Sequence, residues 1–158
     1  DAPMAKVLPN IYHTYQDNYS GYTIRRLCQE MHDFYKERKV NVLQKHLFLK
    51  NYFPIYSMSP QEANYELVRG HGELIDLAEA EGRVALEGGV PYPPGVPCIQ
   101  PGEKWSKTAI AYFMALAEVF NLFPGFTPEL QGVYMERAAD GKFHVYAQVL
   151  KKEYEKIL

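Results

Sequence analysis

At 158 residues the chain is long enough for one domain with a real core, above the size where disulfides or metals become necessary. Its 47% hydrophobic and 23% charged content is that of a globular protein, and a net charge of −2 lacks the basic face that nucleic acid requires. No apolar run reaches the roughly 18 residues of a membrane span, and the N-terminus lacks the charged-then-apolar pattern of a leader, so neither nucleic acid nor membrane is expected as a partner.

Up to about Ser20 the turn-forming Pro9, Asn10, Asp17 and Asn18 predict a segment that is mostly loop, so residues 1–20 read as a connecting segment and 21–158 as a single domain. From Tyr22 to Lys39 the apolar Ile24, Leu27, Cys28, Met31, Phe34 and Tyr35 recur at three- and four-residue steps, the stripe of an amphipathic helix. Ser20 or Thr23 can cap it, and Lys36, Arg38 and Lys39 suit its negative end. A second helix is predicted over Val42–Lys50 on Leu43, Leu47 and Phe48, stopped by Pro54. Ser59-Pro60-Gln61-Glu62 is a capping box with proline at the first helical position, predicting a third helix to Arg69 that ends at Gly70.

The middle of the chain is strand-like. Leu74–Ala78 and Arg83–Leu86 flank a turn at Glu79-Ala80-Glu81-Gly82, and Val96–Gln100 reads as a further short strand. Ser106 to Asn121 predicts a long helix with Trp105, Ala109, Ile110, Phe113, Leu116, Ala117 and Phe120 on a broad apolar face, terminated by Pro124-Gly125. Gly132–Arg137 and Phe143–Leu150 flank Asp140-Gly141, a hairpin signal, with Phe143, Val145, Ala147 and Val149 on one face. The tail from Lys151 reads as a frayed, charged helix. The expected class is α+β: several helices packed on a small, largely antiparallel sheet with a C-terminal hairpin.

Between Glu87 and Glu103 lie Pro91, Pro93, Pro94, Pro97 and Pro101 together with Gly88, Gly89, Gly95 and Gly102. No helix survives prolines at that spacing, and each pushes the residue before it toward extended geometry. Val90, Val96, Cys98 and Ile99 recur inside the run where a linker would carry Ser, Lys and Glu, so an ordered, packed loop is expected. GRVALEGGVPYPPGVPCIQPGE, from Gly82 to Glu103, resembles the signature of the C-terminal domain of the bacterial ornithine/lysine/arginine decarboxylases. YTIRRLCQEMHDFY (Tyr22–Tyr35) and LFPGFTPELQGVY (Leu122–Tyr134) resemble the ornithine-specific branch. The matches reach from about Gly21 to Val149.

The resemblance implies a parent enzyme of the pyridoxal phosphate (PLP) fold-type-I class that converts L-ornithine to putrescine and CO2. A lysine or arginine decarboxylase is the alternative within the family. It further implies that this domain packs on the PLP domain of the same polypeptide and supports the active-site entrance in a homo-oligomer, a homodimeric core able to build larger rings. PLP chemistry needs a Schiff-base lysine, an acid on the pyridinium nitrogen and a phosphate cradle. The family's lysine follows a histidine in a Ser/His-rich motif, which this chain lacks; Lys45-His46 has the reverse order within a helical pattern and reads as a solvated pair. No catalytic and no cofactor-binding residue is therefore expected here, and the cofactor is expected outside this chain. The first residue, Asp1, fits a piece of a longer polypeptide.

The histidines at 13, 32, 46, 71 and 144 form no metal-ligand spacing, and Cys28 and Cys98 read as reduced thiols of a cytoplasmic protein. Glu79, Glu81 and Glu87 read as solvated turn residues or as an acidic rim that attracts a diamine-like cation. With Tyr 13 and Phe 8, aromatics are abundant enough to suggest a packing face, and Tyr12, Tyr15 and Tyr19 are expected in an interdomain seam. Two residues of the proline segment are candidates for the active-site entrance. Tyr92, held between prolines, suits either a channel wall or a core plug; Glu103, ahead of a helix, either stabilises the helix dipole or draws in the substrate's ammonium. A different class of reading is a free-standing module that offers PYPPG to an aromatic groove.

Overall fold

The computed structural model describes residues 1–155; the last part of the tail expected as a helix lies outside the described residues. Residues 1–20 are not loop. They form three short helices, α1 (Met4–Val7), α2 (Pro9–Thr14) and α3 (Gln16–Tyr19). Pro9 opens α2, where its missing N–H costs nothing, and Asn10, Asp17 and Asn18 occupy exposed faces of the helices instead of turns. What overrides their turn preference is burial: Met4 and Tyr19 pack with Leu27, Phe34, Val119 and Phe123 in one apolar cluster. The Tyr19 hydroxyl donates to the Pro124 carbonyl at 2.8 Å, and burial pushes its pKa up to about 12. Tyr12 and Tyr15, half-buried, pack against the same cluster, so much of the surface of these three tyrosines is taken up within their own domain.

The first long helix, α4 (Ile24–Glu37), is capped by Thr23, whose hydroxyl accepts from the Arg26 N–H at 3.2 Å. Leu27 and Phe34 are its buried residues; Cys28, expected in the apolar stripe, is exposed. The second helix, α5 (Val40–His46), starts and stops earlier than Val42–Lys50 because Lys39 turns into it at a left-handed φ of 52°. Leu47 is buried behind it, while Phe48 is exposed. A 3₁₀ turn at Lys50–Tyr52 leads to β1 (Ile55–Tyr56). The capping box forms as read: α6 (Pro60–Val68) has Ser59 accepting from the Glu62 N–H and the Glu62 carboxylate accepting from the Ser59 N–H.

Strands come as three small antiparallel sheets. β2 (Gly72–Asp76), set two residues earlier than expected, pairs with the terminal strand β7 (Phe143–Leu150), which also pairs with β6 (Tyr134–Arg137). The prolines confine pairing in the loop to short pieces, since each removes a ladder donor. β3 (Val90–Tyr92) pairs with β5 (Glu129–Gln131), and β4 (Glu103–Lys104) pairs with β1. Arg83–Leu86 contributes bridges at Val84 and Ala85 but no regular strand, and Val96–Gln100 contributes one bridge, Gly89 to Ile99. The tail after β7 makes a 3₁₀ turn at Lys152–Tyr154 in place of the expected helix.

The core lies between β7 and the long helix α7 (Lys107–Leu122), which Ser106 caps by accepting from the Ala109 N–H at 3.1 Å. Phe113 is fully buried with its ring edge-on to Trp105, and Val145, Ala147 and Val149 bring the inward face of β7 into the same cluster. Asp140-Gly141 closes the hairpin, the Asp140 carboxylate accepting from the Lys142 N–H. The loop from Glu87 is pinned onto this core where backbones cross. A Cβ at Gly132, whose φ is +74°, would lie 1.9 Å from the Gly88 carbonyl oxygen. Gly141 has nearly the same backbone at φ +79° with nothing within 4 Å. Gly132→Ala therefore adds a backbone collision of about 1–3 kcal/mol or more to a left-handed cost of about 1–2 kcal/mol. Gly141→Ala should carry the conformational cost alone, and equal urea midpoints for the two variants would contradict this packing.

Candidate functional site

The proline segment is ordered, as its apolar residues imply. Pro91, Cys98 and Ile99 are buried, and the Gly89 N–H donates to the Ile99 carbonyl at 3.0 Å while the Cys98 N–H returns to the Gly89 carbonyl at 2.9 Å. Burial pushes the Cys98 thiol up to about 11, which removes it as a nucleophile at neutral pH. The PYPPG stretch bends back on itself, the Gly95 N–H donating to the Pro91 carbonyl at 2.8 Å. It is therefore not the extended helix that aromatic grooves read.

The two entrance candidates lie on different sheets, Tyr92 opposite Glu129 on β3 and Glu103 opposite Tyr56 on β4. Tyr92 is 42% exposed, so it plugs no core. Its ring covers Gly95, where a Cβ would come within 2.7 Å of it. Glu103 does not cap α7, a role that Ser106 takes. Its carboxylate instead accepts from the Gln100 N–H at 2.8 Å and staples the Gln100–Glu103 turn, while the Glu103 N–H returns to the Gln100 carbonyl at 3.1 Å. The acidic residues of the predicted rim do different things: Glu87 accepts a short hydrogen bond from the Tyr134 hydroxyl, whose pKa that bond raises to about 12, while Glu79 and Glu81 are exposed.

Two clefts flank the β1–β4 pair, and Lys104 lines both. One, of about 590 Å³, has Val84, Leu150 and Met58 at its apolar side with Glu66, Arg69 and His71 opposite. The other, of about 580 Å³, runs along Tyr52, Phe53, Ile55 and Trp105 to the start of α7. Neither Tyr92 nor Glu103 lines them. No motif in the sequence marks these clefts, because each is assembled from segments far apart in the chain.

The first cleft is bordered by a clasp on the C-terminal turn. The His71 Nδ1 lies 2.5 Å from the Glu66 carboxylate, and its ring stacks on Tyr154 with centroids 3.7 Å apart. The Lys151 N–H donates to the His71 carbonyl at 2.9 Å. Arg83 reaches Glu73 at 2.6 Å and Glu155 at 3.2 Å and donates to the Leu150 carbonyl. Lys45 is exposed, as the reading of a solvated pair requires, whereas His46 is half-buried with its ring stacked on Tyr52. No polar or charged residue is buried among the described residues, and every lysine there is exposed or half-buried. These side chains do not fit PLP, which needs a desolvated lysine, an acid beneath the ring and a phosphate cradle.

The hydrogen bond to His71 and, secondarily, the Arg69 guanidinium hold the Glu66 carboxyl below the usual carboxylate range. A depressed carboxylate contributes stability that is complete above its unfolded pKa and is lost as pH falls through the folded one. The clasp should accordingly hold at neutral pH and loosen only below the ordinary carboxylate range. The upfield ring-current shifts of the Tyr154 protons, followed by NMR during acid titration, should report this, and Glu66→Gln should flatten that acidic transition.

Residues 41–151 match the family model described as Orn/Lys/Arg decarboxylase, C-terminal domain. The inducible ornithine decarboxylase of Escherichia coli (strain K12) is 56% identical over 151 residues, which is 96% of this chain and 20% of that protein. That of Lactobacillus sp. (strain 30a) is 51% identical over 156 residues, 99% of this chain and 21% of its own length. Lysine and arginine decarboxylases align at 28–34% identity. The solved lysine decarboxylase A from Pseudomonas aeruginosa superposes with a TM-score of 0.85 at 31% identity, covering 95% of this chain and 20% of that one. The chain thus spans about a fifth of the length of the relatives it matches. Fold, loop signature and near-complete coverage agree: the chain belongs to the C-terminal domain family of the ornithine/lysine/arginine decarboxylases.

Proposed function

We propose that this chain is the C-terminal domain of a PLP-dependent ornithine decarboxylase whose whole polypeptide converts L-ornithine to putrescine and CO2 in the cytoplasm. The observation that carries the substrate is the gap in identity: 51–56% to ornithine decarboxylases against 28–34% to lysine and arginine decarboxylases over a similar share of the chain. In this reading PLP is held by the PLP domain of the same polypeptide, residues 21–158 form the C-terminal domain, and residues 1–20 join it to the rest while packing onto it. The whole assembles as a homo-oligomer.

The domain's contribution is to shape the entrance to the active site. Tyr92 would form a wall there, its ring direction fixed by neighbouring prolines and by contact with Gly95. Glu103 would present the carboxylate oxygen left over from its bond to the Gln100 N–H to the ammonium of an arriving diamino acid.

Purified full-length polypeptide should show a higher kcat/KM for L-ornithine than for L-lysine or L-arginine; a preference for either of the latter would overturn the substrate assignment. Incubated with PLP and borohydride, the 158-residue chain alone should acquire no stoichiometric adduct at one lysine and should release no CO2. Glu103→Gln in the full-length enzyme should raise KM roughly 2–5-fold at low salt, as an exposed charge contact does, with kcat retained and the effect vanishing at high salt. A KM unchanged across ionic strength would remove Glu103 from the entrance.

A further inference from the structure

A more exposed apolar surface than that of Tyr12, Tyr15 and Tyr19 lies elsewhere. Between Phe48 and Tyr56 the chain exposes Phe48, Leu49, Tyr52, Phe53, Ile55 and Tyr56, with Phe53 at 53%, Ile55 at 68% and Tyr56 at 67%. Nothing in local structure asks for this. A solvated two-residue strand would normally carry polar residues outward, and monomers rarely leave contiguous apolar patches open. The segment forms a ridge: β1 is held to β4 through Ile55–Lys104 and Tyr56–Glu103, and a cleft opens on each side of it. Tyr52, Phe53 and Ile55 wall one cleft and Tyr56 with Met58 the other. A ridge between two apolar-sided grooves is a shape that interlocks with another surface.

Charged groups edge the patch. Lys50 lies in the turn that carries the patch, and Lys104 and Lys107 line its clefts. None of the three makes an ion pair among the described residues. Carboxylates share the same lining, Glu62, Glu66 and Glu155 in one cleft and Glu81 in the other, so the patch is edged by charges of both signs and fits an apolar surface with a rim of mixed charge. The matching region is a fifth of each ornithine decarboxylase relative and is the C-terminal domain of its family, so about four-fifths of such a polypeptide precedes it.

We infer that the Phe48–Tyr56 ridge and its two clefts are the surface on which the preceding part of the same polypeptide docks, through an apolar face with a rim of mixed charge. This rests on the proposed membership in a longer decarboxylase and adds to it the face that is covered. Because these side chains are exposed in the isolated domain, replacing them leaves its own fold intact.

Hydroxyl-radical labelling of the full-length polypeptide, read by peptide mass spectrometry, tests the assignment. Phe53 and Tyr56 should be labelled at least tenfold more slowly than the exposed Leu122 and Tyr134 after normalisation for intrinsic reactivity. In the Phe53→Ser/Ile55→Ser variant, limited proteolysis should release a folded fragment of this domain at least tenfold faster than in the parent. Labelling of Phe53 and Tyr56 at the rate of the reference residues overturns the inference. So does protection that disappears when the polypeptide is diluted to a monomer, which would assign the face to a second copy. Failure to decarboxylate ornithine would sink the substrate reading and leave this result standing, so the two failures are distinguishable.

Discussion

Two crossings of backbone on backbone hold this domain's parts in place. At Gly132 the chain entering β6 passes so close to Gly88 that any side chain would collide with a carbonyl oxygen, and at Gly102, with φ of +88°, a Cβ would lie 2.2 Å from the Met58 carbonyl oxygen. The first crossing ties the start of the proline segment to the sheet of β7; the second ties its end to the stretch between β1 and α6. Prolines between the two ends reduce what the unfolded chain has to lose, while glycines allow the contacts that fix the folded one. The segment thereby joins three small sheets that have too few ladder bonds to stand alone.

With the loop fixed, the two larger apolar clusters pack against α7, while α6 packs through Ala63 on Val84, Leu86 and Leu150. The buried face of α7 runs from Ala109 to Val119 and serves both main apolar clusters: Phe113 and Leu116 face β7, and Val119 reaches Met4 and Tyr19 from the N-terminal helices. One helix thereby joins the first residues of the chain to the last strand. Polar contacts are left to the periphery, where Arg83 and His71 gather the C-terminal turn and Arg38 reaches Glu118 on α7 at 2.8 Å.

Much of this was legible before any coordinates. The capping box at Ser59 was readable, and the cap of α4 was narrowed to Ser20 or Thr23, because a side-chain acceptor ahead of an apolar periodic run satisfies the orphan N–H groups of a helix start. The hairpin at Asp140-Gly141 and the inward residues of β7 followed from turn chemistry and a period of two. The N-terminal helices were not legible, since their polar residues favour turns locally and only the distant Val119 and Phe123 make helix the better state. Of the two roles open to Glu103, the helix-dipole one gave way for a related reason: its nearness in sequence to α7 suggested a dipole, whereas the nearer Gln100 N–H takes the carboxylate. The clefts and the His71–Tyr154 stack join residues up to 99 positions apart, Tyr56 and Glu155 in the first cleft, so no local pattern could announce them.

The interior of this domain says what kind of part it can play. Its core contains no buried charged or polar residue among the described ones; even the indole N–H of the buried Trp105 lacks an acceptor. Electrostatic catalysis requires donors and charges preorganised in a dry site, and such groups are absent from that interior. In the proposed reading, what the domain offers a reaction centre is shape and surface charge: a wall at Tyr92, a carboxylate at Glu103, and an apolar ridge for anchorage. Rigid attachment and an exact wall are exchangeable for nothing in the chemistry itself, but they set who reaches it. Under the proposed function, such a domain would act on substrate access and on assembly, through association constants and KM, with the bond-breaking step left to groups of the PLP domain.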